Sequence, residues 1–338
     1  MASQTLALPG DVSPCGLEMQ SAVGAIAAAR KIVLACHVNP DGDALGSLLS
    51  LGLAIAAAFP KKDLVFLSQD GVPDILRFLP GTERVQSETT RKDFDLAIAL
   101  DSGDLKRVGP KVLPTISSAP IQMDIDHHVG EGAFGDIRLL DSRASATAEI
   151  VFDLIHALEI PITAEIATCL LTGIITDTGS FRYMNVTPRT LRISASLIEA
   201  GAAPAEISEQ VFDNRPFGAT KLMGLALSTL SSTPDGRIVW AHVSHEAFVA
   251  AGATDEDTEG FINSIRAVRG ADIALLFREI EKGKIRISLR SCEGVDVSKV
   301  AAQFGGGGHR MASGCSFRGP LPNAEAALVA ACKAALAG

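Results

Sequence analysis

Aromatic residues are scarce: one tryptophan, one tyrosine and 14 phenylalanines make up 5 % of 338 residues. That excludes an extended stacking platform for single-stranded nucleic acid and leaves base stacking to one or two side chains. The six cysteines, Cys15, Cys36, Cys169, Cys292, Cys315 and Cys332, form no C-x-x-C pair and no closely spaced framework. A disulfide scaffold and a thiolate zinc site are both disfavoured, and a reducing cytosol fits. The first twenty residues hold no lysine or arginine and no uninterrupted apolar core, so no secretory signal is expected. Long hydrophobic runs are missing too. The stretch "LLSLGLAIAAAF" at 48–59 is too short to span a bilayer. The expected location is therefore cytoplasmic, with no membrane partner.

Positive charge is also short, with 30 Lys and Arg against 39 Asp and Glu for a net charge of −9. No broad basic face is expected, so a long nucleic-acid duplex is excluded as a ligand held by phosphate contacts alone. A phosphate ligand would need local help from metals, backbone amides or a few placed arginines. What the chain does have is apolar content, 47 % against 20 % charged, and length enough for two domains.

Apolar runs recur as "KIVLAC" at 31–36, "DLVFLSQ" at 63–69, "DLAIALD" at 95–101 and "IQMDID" at 121–126, with helical patterns such as 44–58 between them. Uninterrupted apolar strands alternating with helices predict a Rossmann-like parallel sheet covered on both faces. From about 188 to 230 the pattern is helical. After "TPDG" at 233–236 it turns to strands, with "EKGK" at 281–284 as a hairpin turn. The expected fold class is α/β: a first domain at 1–190, a helical connector at 191–235 and a smaller α/β domain with a mixed sheet at 236–338.

The polar chemistry sits where strands stop. "LACHVNPDGDALGS" at 34–47 packs His37, Asp41 and Asp43 into seven positions; Asp101 ends another strand, and Asp126, His127 and His128 end a third. In open α/β sheets ligands bind at the carboxyl ends of strands. Each segment alone has an ordinary reading, since Asn, Pro, Asp and Gly make turns and Asp caps helices. Together, and with Asp177 of "TDTGSF", they form a carboxylate and imidazole set without thiolate, suited to Mn²⁺, Mg²⁺, Fe²⁺ or Zn²⁺. Six or more such groups on convergent loops point to two ions, typically about 3.5–4 Å apart, sharing a carboxylate.

The segments "HVNPDGDALGS", "ALDSGD", "DIDHHV" and "TDTGSFRY" resemble, in order, the four motifs of the DHH phosphoesterase family, and "GGGGHRMASG" at 305–314 resembles the signature of its DHHA1 domain. The architecture is similar to the branch that acts on short oligoribonucleotides and 3′-phosphoadenosine 5′-phosphate. The resemblance implies that His37 and Asp41 bind one metal with Asp101 bridging, and that Asp43, Asp101, His127 and Asp177 hold a second. Asp126 would orient a neighbouring ligand, and His128 would contact the scissile phosphate or protonate the leaving group. Two divalent ions, Mn²⁺ foremost, would activate a water that attacks phosphorus in line. Asp101, Asp126 and His128 are thus the catalytic candidates.

Four glycines at 305–308 allow close backbone approach to an anion, without the spacing of a P-loop. Ser288 and Arg290 share a strand face by the two-residue repeat. By resemblance the second domain binds the terminal phosphate or base, which makes Ser288, Arg290, Gly306, Gly307, Gly308 and His309 candidates, with Asn263 and Arg266 beside them. The expected partners are short RNA oligonucleotides, linear dinucleotides and nucleoside 3′,5′-bisphosphate. A substrate gripped at both ends would run to roughly two to five nucleotides. The alternatives are a single-strand exonuclease or a linear or cyclic dinucleotide phosphodiesterase of the same family and, from another class, a non-catalytic nucleotide-binding module. Apolar helices in the connector are compatible with a homodimer.

Overall fold

A computed structural model describes residues 16–128, 132 and 134–337. The chain divides into two compact units, Met1–Asn214 and Arg215–Gly338. In the first, helix α1 (Gly16–Ala28) leads into β1 (Lys31–Cys36), α2 (Gly42–Ala58), β2 (Asp63–Leu67), β3 (Val85–Gln86) and β4 (Leu96–Leu100). Next come α3 (Leu113–Ile116), β5 (Ile121–Asp126), β6 (Ile137–Leu140), α4 (Thr147–Ala157), α5 (Ala164–Asp177), α6 (Pro188–Glu199) and α7 (Pro204–Ser208). The strands pair in the order β3-β2-β1-β4-β5-β6, all in parallel.

Alternation along each strand explains the layers. Ile32, Leu34 and Cys36 of β1, with Ile98 and Leu100 of β4, face α2, α4 and α5 in one core. Val33, Ala35, Ala97 and Ala99 face the other way, towards Val108, Val112 and Ile116. A strand buried on both faces needs a continuous apolar run, which "KIVLAC" supplies. β3 and β6 escaped the pattern because both are short and lie at the sheet edges.

The second unit opens with α8 (Phe217–Ser228), β7 (Ser231–Ser232), β8 (Ile238–Val243), α9 (His245–Ala251), α10 (Phe261–Arg266), β9 (Ile273–Glu281) and β10 (Lys284–Ser291). It closes with α11 (Val297–Ala302), β11 (Gly307–His309), β12 (Ala312–Arg318) and α12 (Leu321–Ala337). Its sheet runs β11-β12-β10-β9-β8-β7 and is mixed, with β8 and β9 parallel and the other pairs antiparallel. Ile285, Ile287 and Leu289 pack with α11 and α12 on one face. Ala274 and Leu276 pack with α8 and α10 on the other. The α/β class with a parallel and a mixed sheet is the one expected.

The segment 191–235, expected as a connector, is divided between the units. Ile193, Leu197 and Ile207 bury into the core of the first unit, whereas Leu222 and Ala226 of α8 bury into the second. Among the described residues no helix is long and apolar enough to cross a membrane.

Helices α2 and α5 touch through glycine. A Cβ on Gly46 would fall on the Cys169 carbonyl and 3.2 Å from Gly173 N, and one on Gly173 would sit 2.7 Å from Asp43 Oδ1. Overpacking of this kind costs about 1–3 kcal/mol. Gly46→Ala is accordingly expected to lower the urea midpoint of the first unit with an unchanged slope; a wild-type midpoint would show that the helices can separate freely.

Candidate metal centre

Strand order reverses between β1 and β4: from β1 the chain proceeds to β2 on one side, and from β4 to β5 on the other. The connections leave in opposite directions and open a crevice at the carboxyl ends of the two strands. His37 follows β1 directly, Asp101 follows β4, and Asp126 ends β5 with His127 and His128 next. Asp41 is the N-cap of α2, its Oδ1 accepting from the amides of Asp43 and Ala44 at 3.0 Å each. Asp177 is the last residue of α5.

Asp101 is the centre of the arrangement and is 2 % exposed. Its Oδ2 lies 3.5 Å from His37 Nε2. Its Oδ1 lies 3.7 Å from His127 Nε2 and 3.3 Å from His128 Nδ1. One oxygen therefore faces each side. His37 Nε2 is 4.0 Å from Asp41 Oδ1; His127 Nε2 is 3.4 Å from Asp177 Oδ2 and 3.9 Å from Asp43 Oδ2. The donor atoms fall into groups that could each hold an ion: His37, Asp41 and Asp101; Asp43, His127 and Asp177; and Asp101, His127 and His128. Asp101 has a φ of +57°, a left-handed conformation that Asp tolerates better than most residues but that still carries strain.

Each imidazole has its Nδ1 engaged. His37 Nδ1 donates to the Val38 carbonyl at 2.7 Å, and His127 Nδ1 to the Ala144 carbonyl at 3.3 Å. A carbonyl only accepts, so each Nδ1 carries the proton, and Nε2 is the atom that faces the cluster, as it is in metal-binding histidines. His128 differs, because its Nδ1 donates to Asp126 Oδ1 at 2.6 Å. Asp126 in turn accepts from the amides of His128, at 2.8 Å, and Gly103. These bonds fix the Asp126 carboxylate against the His128 ring.

The electrostatics show what this cluster is short of. Burial, then Asp101, Asp177 and Asp41, push the Asp43 carboxyl well above the usual range. Burial raises Asp177 to about 7 against the opposing pull of His127. Burial also works to raise Asp101, but His128 and His37 hold it below the ordinary carboxylate range. For His128 burial is overcome by Asp101 and Asp126, which push the imidazole up to about 10. Four carboxylates around two inward imidazole nitrogens suit hard divalent cations with mixed oxygen and nitrogen ligands. Burial pushes the neighbouring Cys36 thiol up to about 12, so it stays protonated and packs in the core. The donor set fits divalent metal.

Comparison with known proteins agrees. The profile described as DHH family, N-terminal domain, matches residues 31–174, and that of the DHHA1 domain matches 242–338. A Thermus thermophilus protein named bifunctional oligoribonuclease and PAP phosphatase NrnA is 37 % identical over 292 residues, 85 % of this chain and 84 % of that one. The chain belongs to the DHH family. A Bacillus subtilis protein of the same name is 28 % identical, over 85 % of this chain and 89 % of its own. Among solved structures, an exopolyphosphatase-related protein from Bacteroides fragilis superposes with a TM-score of 0.87 at 28 % identity, covering 93 % of this chain and 95 % of that one.

The second unit of this DHH protein, which carries the DHHA1 match, holds a pocket of about 320 Å³ whose lining includes Arg278, Arg286, Ser288, Gly305 and Gly306. Ser288 lies where the strand repeat places it and accepts from Arg278 Nη2 at 3.2 Å. A Cβ on Gly306 would meet Cys315 Cβ at 2.5 Å, so only glycine lets this backbone close on β12. Gly307 and Gly308 serve the β11–β12 pairing instead. The His309 side chain lies outside the described set. Arg290 is not among the pocket-lining residues; its Nη1 donates to the Leu289 carbonyl at 3.0 Å. Asn263 and Arg266 are not brought to the pocket either. α10 buries Phe261, Ile262 and Ile265 against the sheet and leaves both of them exposed. Sequence reasoning missed Arg278 and Arg286, both paired with Asp255 at 2.9 and 2.7 Å, and the segment 144–149 discussed below.

A cation that binds only the folded state stabilises it by mass action, by roughly 2.7 kcal/mol at a hundred times the dissociation constant, or about 5–10 °C for a unit of this size. Metal-free protein titrated with Mn²⁺ should show such a rise in melting temperature. Asp177→Asn removes one like charge, so the metal-free melting point should hold or increase while the Mn²⁺-induced rise shrinks by more than half. A wild-type protein indifferent to every divalent ion would remove the metal reading.

Proposed function

We propose that this protein is a metal-dependent phosphoesterase that hydrolyses short oligoribonucleotides to mononucleotides and adenosine 3′,5′-bisphosphate to AMP. The observation that carries the reading is the pair of donor groups on either side of Asp101, in a chain 37 % identical to a relative named for those two activities. His37, Asp41 and Asp101 would hold one divalent ion, and Asp43, Asp101, His127 and Asp177 a second, with Mn²⁺ the best match to the donors. Bound there, divalent ions supply Lewis acidity towards phosphoryl oxygens and lower the pKa of water.

The chain's own residues do the rest. Asp126 fixes the His128 ring through Nδ1, which leaves Nε2 to deliver a proton to the departing oxygen. The carboxylates of Asp101 and Asp126 beside His128 favour its protonated form, the one a general acid requires. Arg278 and Arg286, beside Ser288 and the amides at 305–306, supply the positive charge for a substrate phosphate that the chain as a whole lacks. A polyphosphate substrate is the second reading, favoured by the name of the Bacteroides fragilis relative.

Metal-free protein resupplied with Mn²⁺ is to be assayed on adenosine 3′,5′-bisphosphate, a 5′-phosphorylated diribonucleotide, a long single-stranded RNA and inorganic polyphosphate. Fast release of mononucleotide from the first two and slow attack on the others is the expected result. Asp101→Asn, which removes the shared carboxylate, should reduce turnover by more than the roughly 10–100-fold that loss of an outer partner costs. Arg286→Ala should raise KM about 10–100-fold with kcat nearly intact, as for a lost charge-assisted hydrogen bond. Preference for the long strand would move the protein to the exonuclease branch, and preference for polyphosphate to the second reading.

A further inference from the structure

Five consecutive residues, 144–148, carry no carboxylate or imidazole, yet one half of the centre hangs from them. The Ala144 carbonyl accepts from His127 Nδ1 at 3.3 Å. The amides of Thr147 and Ala148, at the start of α4, donate to Asp43 Oδ2 and Oδ1 at 2.6 and 2.9 Å. Thr147 Oγ1 donates to Asp101 Oδ1 at 2.9 Å. Asn185 Nδ2 donates to the carbonyls of Ser145 and Asp177 at 2.9 and 3.1 Å, tying the end of α5 to the same segment. The other half is held differently: His37 by the Val38 carbonyl, Asp41 by the amides of its own helix.

The segment is fixed from behind by Glu149, which is wholly buried. Its Oε1 accepts from Ser145 Oγ at 2.6 Å, Ser145 N at 3.3 Å and Thr190 Oγ1 at 2.7 Å. Its Oε2 meets Arg189 Nε at 3.2 Å, and Arg189 also binds Asp153 at 2.5 Å. A buried carboxylate persists only when donors surround it, and here they come from α6 and from the segment itself. Asn185 commits its amide nitrogen to two carbonyls, while its buried Oδ1 has no hydrogen-bond partner. The flipped amide would set oxygen against both carbonyls, so the donor role is the one this side chain serves.

We propose that Asn185 and Glu149 are positioning residues for one half of the metal centre. By locking residues 144–148 they set Asp43, His127 and Asp177 without acting on His37 and Asp41. This rests on the two-ion reading above. Outer partners of metal ligands are worth about 10–100-fold in affinity. The consequence is that the two ions are lost separately, each with its own set of supporting residues.

The test is Mn²⁺ binding to metal-free protein, followed by calorimetry and by the electron paramagnetic resonance of the free ion. Wild type, Asn185→Ala, Glu149→Gln, Glu149→Ala, His37→Ala and the Asn185→Ala/His37→Ala pair are compared, with circular dichroism to check the fold. Wild type should bind two ions. Asn185→Ala and Glu149→Ala should weaken one of them 10–100-fold and spare the other. Glu149→Gln, whose amide oxygen still accepts from Ser145 and Thr190 while its NH2 turns against Arg189 Nε, should weaken the same ion less than Glu149→Ala does. His37→Ala should weaken the complementary ion, so that the double variant weakens both. Ser145→Ala, which cuts one link to Glu149, gives a milder form of the same selectivity should Asn185→Ala fail to fold. Two ions at wild-type affinity in Asn185→Ala, equal loss of both, or a double variant that still holds one ion tightly would overturn the proposal. Fewer than two ions in wild type would instead bring down the two-ion reading on which it stands.

Discussion

Four carboxylates are brought within reach of one another in one crevice, with Asp43 and Asp101 buried, and most of the local structure follows from that crowding. Two unit charges 4 Å apart repel by about 4 kcal/mol at an effective dielectric near 20. The fold offsets part of this with backbone donors. α2 turns its first amides onto Asp41, and α4 turns its own onto Asp43. A helix N-terminus suits a carboxylate because its amides are unpaired and its dipole is positive there. The imidazoles of His37 and His128 hold Asp101 ionised. Burial, together with the repulsion left over, appears as the raised carboxyls of Asp43 and Asp177. A protein shaped only for stability would have replaced one of them. Retaining them makes sense when bound divalent metal completes the charge balance.

Geometry and topology make the crowding achievable. Asp43 stands at the start of α2 and Asp177 at the end of α5, so the two helices must come close for these residues to face one histidine. Gly46 and Gly173 provide that approach, with no room for a methyl group at either. The reversal of strand order between β1 and β4 supplies His37 and Asp101 from neighbouring strand ends, and β5 adds the histidine pair. The left-handed turn at Asp101 is the local strain accepted at the point where all of these meet.

The sequence made one class of residue readable and hid another. His37, Asp41, Asp43, Asp101, His127 and Asp177 announce themselves because their functional groups are side-chain groups, at the ends of recognisable strands and helices. Residues 144–148 reach the centre mainly through N–H and C=O groups that nearly every residue possesses, with the Thr147 hydroxyl the one side-chain donor, so "ASATA" looks like any helix start. Arg278 and Arg286 were hidden for a different reason. Counting back from the "EKGK" turn sets Ile285 against Ile280 and Arg286 against Glu279. A bulge before Ile285 shifts the register by one and pairs Arg286 with Arg278 instead. A single extra residue moves every following side chain opposite a new neighbour. Asn263 and Arg266 could not be placed from the sequence alone: only the packing of Phe261, Ile262 and Ile265 shows that α10 turns both of them to solvent.

The two units meet the same requirement by different means. A phosphoester brings negative charge into a protein whose own balance is negative, so positive charge has to be concentrated where it is used. In the first unit it is borrowed, by a ligand set rich enough in carboxylate to hold divalent ions. In the second it is built in, as Arg278 and Arg286 on adjacent strands, a placement that like charges resist. Asp255 stands between them and bonds to both. That carboxylate lowers the repulsion that would otherwise splay the guanidinium groups. Burial, with Arg286 close by, still draws Arg278 below its usual basicity, against the opposing pull of Asp255. The Ser288 hydroxyl and the two guanidinium groups are held in one orientation around the pocket, with Asp255 neutralising part of their charge.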